Sequence, residues 1–142
     1  MPRNRKPSPA AVKDDPSRPL VPVSWGELFD KIAILEIKAE RIKARAALAN
    51  VRRELGALNA GAALPRRAGL ARLRRALRQV NEALWEIEDK IRAKEGKQTF
   101  DAGFIALARS VYRTNDRRAE IKRKINDLLG SALVEEKHYA RY

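Results

Sequence analysis

The sequence predicts an all-α fold: an elongated antiparallel three-helix bundle of coiled-coil-like packing, preceded by a disordered basic N-terminal tail. Three observations carry this expectation. Apolar residues recur in alternating steps of four and three through three long stretches, the spacing of helices that pack side by side. Turn formers separate those stretches, with Asn59, Gly61 and Pro65 between the first two and Gly96 between the second and third. A chain of 142 residues with 44% hydrophobic content is large enough for the core of one domain.

Residues 1–20 are rich in Pro, Lys and Arg and hold too few large apolar groups to offset the entropy of ordering, so they read as the tail. The bundle domain follows over 21–142. Its first helix is expected over about 24–58, roughly 50 Å at 1.5 Å per residue. Ser24 is the N-cap and Glu27 its reciprocal capping-box partner, while Val23 and Leu28 form a hydrophobic staple. The seam runs through Leu28, Ile32, Leu35, Ala39, Ile42, Ala46 and Ala49. A second helix is expected over about 66–95, with Pro65 leading it in, Leu70, Leu73, Leu77, Val80, Leu84, Ile87 and Ile91 on its seam, and Gly96 as a left-handed end. The third is expected over about 101–129, capped at Thr99 or Asp101, with Phe104, Leu107, Val111, Ile121, Ile125 and Leu128 facing inward and Gly130 ending it. Residues 131–142 read as a short helix or a strap. Up, down and up, this register collects Trp25, Phe29, Phe100 and Phe104 at one pole.

Charge is uneven. Of the net +13, residues 41–80 carry +10, from eleven Lys and Arg against one Glu. Such a balance attracts polyanions at long range, so nucleic acid or an acidic protein is a candidate partner. There is no cysteine, which excludes disulfides and thiolate chemistry. No secretory leader and no stretch of roughly 18 apolar residues is present, so no integral membrane association and a cytoplasmic location are expected.

The segments SWGELFDKIAILEIKAERI, NEALWEIEDKIR and ARSVYRTNDRRAEIKRKINDLLGS, followed by LVEEKHY, resemble an uncharacterised bacterial family, domain of unknown function family 6165. The resemblance implies a small all-helical protein and brings no activity, ligand or catalytic residue with it.

No Gly-rich phosphate loop or metal-ligand spacing is present, and His138 is the one histidine, so no catalytic residue, metal or cofactor is assigned. Arg118 falls on the third seam where an apolar residue is due, and a charge there needs partners. Tyr112, Asn115, Asp116 and Arg118, with Glu36 and Glu82 at the same height, are expected either to fix helix register or to line a pocket for a small anionic ligand. Two arginine rows, Arg41, Arg45 and Arg52 on the first helix and Arg67, Arg74 and Arg78 on the second, are candidate polyanion contacts. The expected function is a non-enzymatic helical interaction or scaffold protein. Its alternatives are a nonspecific nucleic-acid binder and an anionic-ligand site or enzyme.

One apolar stripe is left over. At 100° per residue, Ile34, Ile37, Leu48, Val51, Leu55 and Leu58 lie opposite the first helix's seam. Either the other helices flank a bent first helix or a second copy covers the stripe, and a homodimer through Ile34, Ile37, Leu48 and Val51 is the expectation.

Overall fold

A computed structural model describes residues 15–61 and 63–142, which form four helices and no strand. They are α1 (Trp25–Arg41), α2 (Arg45–Gly61), α3 (Leu70–Gly96) and α4 (Ala102–Leu129). Most of the expected tail, residues 1–14, lies outside the described residues. Its last part makes a turn in which the Asp15 carboxylate accepts from the Ser17 amide at 2.9 Å and from Arg18 Nε at 3.1 Å.

The three-helix count is corrected at Ile42, Lys43 and Ala44, where the expected first helix breaks and α2 doubles back along α1. Lys31 Nζ meets Glu54 Oε1 at 2.8 Å, which sets the two helices antiparallel. No Gly or Pro forces this break. A straight 24–58 helix would leave Leu48, Val51, Leu55 and Leu58 in water, and burying each large apolar side chain contributes about 1.5–3 kcal/mol. The helical hydrogen bonds given up at the turn are worth about 1 kcal/mol each. Burial wins, and the Ile42 amide still donates to Lys38 O at 2.9 Å.

Neighbours on both sides of α1 account for most of the leftover stripe, α2 on one and α4 on the other. Ile37 is 2% exposed and Val51 8%, so the centre of the stripe is covered within one chain, while Leu48 is half-buried and Ile34, also half-buried, borders a cleft. The dimer contact expected there is withdrawn. By helical phase, Leu28 and Leu35 share the side of Lys31 and α2, whereas Ile34 and Ile37 share the side of Asp30 and α4. Alone among the four, α1 runs beside all the others, while α2 runs beside α1 alone and reaches the shared core through Leu55 and Leu58.

The reversal exchanges the poles as well. The starts of α1 and α3 meet the ends of α2 and α4 around a core of Phe29, Ile32, Leu70, Leu77, Val80, Ile121 and Ile125. Phe100 and Phe104 stack edge-on at 5.1 Å at the far end of the α3/α4 hairpin, away from Trp25 and Phe29. The single aromatic pole is therefore corrected to two.

Helix ends follow the sequence closely. Ser24 Oγ accepts from the Glu27 amide at 3.1 Å, Asp101 Oδ1 from the Phe104 amide at 2.9 Å, and Gly130 is left-handed with φ 61°. Three details differ. The Glu27 carboxylate is drawn to Lys122 rather than back to its own cap. Helix α3 starts at Leu70 because Gly69, at φ 89°, turns the chain there, leaving Pro65 in the connection. After α3 the left-handed residue is Gln98, with φ 52°, and not Gly96, which stays helical.

Candidate functional site

Arg118 stands where the apolar seam of α4 is interrupted, and its acidic partner comes from α1 at a position not among those expected. Asp30, 1% exposed, accepts from Arg118 Nε at 3.0 and 3.1 Å and from its Nη2 as well, and Asn81 Nδ2 donates to the same carboxylate at 2.9 Å. One turn along α4, Lys122 Nζ lies 3.8 Å from Asp30 and donates at 2.8 Å to both Glu27 and Glu135. Hydrogen bonds from the Arg118 fork to Asp30 raise its pKa. For Lys122, burial pulls the pKa down, but hydrogen bonds to Glu135 and Glu27 outweigh it and the net shift is upward. Two cations and three carboxylates thus hold one another, and among the described residues no buried side-chain nitrogen or oxygen lacks a partner.

A close approach of α1 to α4 makes this geometry attainable. Gly26 presents its bare Cα to α4, and a Cβ there would lie 2.5 Å from the Lys122 carbonyl oxygen. The first amides of α1 are then taken by α4 and its end: Gly26 donates to Asn126 Oδ1 at 2.7 Å and Trp25 to Ser131 Oγ at 3.2 Å. That helix start is closed by its own chain.

The six candidate pocket residues do not converge on one site. Only Arg118 belongs to the buried network. Glu36 and Glu82 lie elsewhere, sharing Arg78 with Glu40: Arg78 Nη1 is 3.6 Å from Glu36 and Nε 2.8 Å from Glu82. Tyr112 and Asp116 face the C-terminal residues, which settle as an extended strap and not a helix, running back along α4. Glu135 and Glu136 of the strap pair with Lys122 and Arg123, and the Tyr142 hydroxyl donates to Asp116 Oδ2 at 2.5 Å with its ring 4.9 Å from Tyr112. The Lys122 hydrogen bond holds the Glu135 carboxyl below its usual range, and the hydrogen bond to Asp116 raises the pKa of the Tyr142 hydroxyl. Asn115 lines the shallow clefts on either side of Arg118.

Asp30 is the residue that sequence reasoning missed. Its signal was available, since Gly26, Asp30, Ala33 and Ile37 form a second buried line on α1 at steps of four, three and four.

The expected arginine rows divide too. Arg41 pairs with Glu86 and lies 5.6 Å above the Trp85 ring; Arg74 lies 4.8 Å above Phe29 and 3.9 Å from Glu36. With Arg78 these three are structural. Arg45, Arg52 and Arg67 are exposed, with no acidic side chain among the described residues within ion-pair distance.

Beyond α1, the α3/α4 hairpin continues alone. Helix α1 ends at Arg41, level with Glu86, yet α3 runs to Gly96 and α4 begins at Ala102. Covered by α1, the shared seam is tight: Leu77 and Ile125 are 0% exposed and Val80 4%. Past Arg41, the same seam residues Ile87, Ile91, Leu107 and Val111 are all half-buried, and Phe100 and Ile105 reach 54% and 57% exposure at the tip. The uncovered face begins at a cleft between α1, α3 and α4 lined by Ile34, Leu84, Trp85 and Asn115.

A family model described as a family of unknown function, DUF6165, matches residues 20–141, and so takes in all four helices and nearly all of the strap. No curated protein and no solved structure matches the chain. No helix among the described residues is long and apolar enough to cross a membrane.

Proposed function

We propose, for a chain that belongs to this family of unknown function, a non-enzymatic scaffold role in which two copies associate through the uncovered end of the α3/α4 hairpin. The observation that carries this reading is the change along one seam, closed where α1 covers it and half-open where α1 has ended. Two helices cannot bury a shared apolar face by themselves; a third or fourth must lie across it. A second hairpin, arriving antiparallel about a two-fold axis, supplies both and turns two half-bundles into one four-helix bundle.

Charge favours a second copy as the occupant. Residues 87–112 hold five Lys and Arg against four Asp and Glu, close to balance in a chain of net +13. Hairpin ends can therefore meet where the rest of the molecule repels itself. The face is about 15 Å long and two helices wide, about 300 Å² before the cleft over Trp85 is added, which is the size of a weak, transient interface. Association at micromolar concentration is the expected strength.

The buried Asp30, Arg118 and Lys122 network serves to set helix register, because its members are committed to one another. Light scattering over a concentration series tests the proposal. Wild-type mass should rise toward twice 16.1 kDa by tens of micromolar. Leu107→Glu should hold it at the single-chain value with the helical circular dichroism retained. A wild-type mass that stays single, or a Leu107→Glu variant that associates equally well, refutes it.

A further inference from the structure

We infer that the molecule carries a second binding surface, for the phosphate backbone of nucleic acid, on the outer sides of α2, the connection after it and the first turns of α3. Residues 43–75 hold nine Lys and Arg against one Glu, and that Glu54 is already paired with Lys31. Arg45, Arg52, Arg66, Arg67, Arg72 and Arg75 are all exposed. None of the six has an acidic partner among the described residues, whereas their neighbours Arg41, Arg74 and Arg78 have absorbed Glu36, Glu40, Glu82 and Glu86. Local ion pairing has sorted the arginines into a structural inner set and a free outer set.

What the patch lacks selects the partner. Among the described residues every exposed large apolar side chain lies elsewhere, in residues 20–23, at the hairpin tip, on α4 or in the strap; none falls between 43 and 75. A protein partner needs an apolar centre to bury, and a bilayer needs side chains that insert. Nucleic acid needs neither, because cations displacing condensed counterions supply the binding free energy. Eight of the nine cations are Arg, whose planar fork grips phosphate oxygens in pairs. Arg45 and Arg52 are about 10 Å apart along α2, and Arg72 and Arg75 about 5 Å apart along α3, spacings of one to three phosphates on a duplex strand. Geometry of this kind binds without reading sequence, since the backbone is the same at every step.

The Arg66 to Arg75 part of this surface lies at the pole opposite the hairpin tip, so variants there separate it from self-association. Fluorescence anisotropy of a labelled duplex of about 20 base pairs is measured with the full chain across a salt series. Arg66, Arg67, Arg72 and Arg75 are replaced together by Gln, and, as a charge-matched control, Arg109, Arg113, Arg117 and Lys124. Neutralising the four patch residues should weaken binding at least tenfold near 100 mM salt and reduce the slope of log K against log salt by about three to four. The control set should change affinity less than threefold, and Leu107→Glu should leave binding to the patch intact. Equal losses from both sets would overturn the inference, since the attraction would then be net charge alone. So would an absence of binding at low salt, or tighter binding to anionic vesicles or to polyglutamate than to the duplex.

Discussion

Replacing Arg118 by Ala should cost about 3 kcal/mol of stability, because it strands Asp30. The carboxylate is 1% exposed and would lose a bidentate guanidinium, keeping only the Asn81 amide at 2.9 Å and Lys122 at 3.8 Å. Breaking a buried pair from one side usually costs about 3–5 kcal/mol. The lower end applies because Arg118 itself is 28% exposed and Lys122 can swing toward the orphan. Asp30→Asn should cost less, about 1–2 kcal/mol, since the guanidinium it frees can turn to solvent. If the two residues act as a pair, the double variant Asp30→Asn/Arg118→Ala should be more stable than the sum of the single effects by at least 1 kcal/mol. Urea denaturation followed by circular dichroism measures all four corners of this cycle. An Arg118→Ala variant within about 0.5 kcal/mol of wild type, or strictly additive effects, would refute the reasoning, because a charge without its partner in the interior cannot be free of cost.

Three further outcomes follow from the same contacts. Gly26→Ala should destabilise by about 2 kcal/mol in urea denaturation, against a helix-propensity gain of up to 1 kcal/mol, because its Cβ would meet the Lys122 carbonyl at 2.5 Å; a stabilised variant would mean that α1 and α4 do not cross this closely. Ser24→Ala should cost about 1 kcal/mol by removing the acceptor of the Glu27 amide, with an unchanged melting midpoint as the contrary result. The strap should release at acid pH: Glu135 is held below its ordinary value, so its contribution is complete above about 4.5 and fades as pH falls below that. The Tyr142 hydroxyl is shifted upward from 10.0, so its contact is complete below that value and lost as pH rises past it. Hydrogen exchange and tyrosine resonances should therefore show a docked strap from about pH 5 to 9, and a free strap at neutral pH would contradict the contacts.

Much of this fold is written locally. Ser24, Asp101 and Gly130 set helix ends with groups a few residues apart, and their roles could be read before any packing was known. The break after Arg41 could not, because Ile42, Lys43 and Ala44 are compatible with helix; only the burial of Val51 and its neighbours on α1 decides for the turn. That one long-range choice carried the errors that followed, in helix count, pole composition and dimer contact. The network shows the same division. Arg118 announces itself by interrupting an apolar seam, while the acids expected at its height, Glu36 and Glu82, are held by Arg78. Asp30 was hidden among apolar residues because the line through Gly26, Ala33 and Ile37 becomes visible as a second face only when α1 has neighbours on both sides.

Self-association through the hairpin end is tested most directly by a distance between copies. The chain has no cysteine, so Lys97→Cys places one spin label per chain at the tip, and any dipolar signal comes from two molecules. Antiparallel overlap of two ends, each about 15 Å long and separated by one helix spacing, predicts a narrow distance near 20 Å at tens of micromolar. A label at the other pole, Arg66→Cys, should give no distance below about 60 Å by the same geometry. No modulation at Lys97→Cys, or a short distance at Arg66→Cys in its place, would contradict the account.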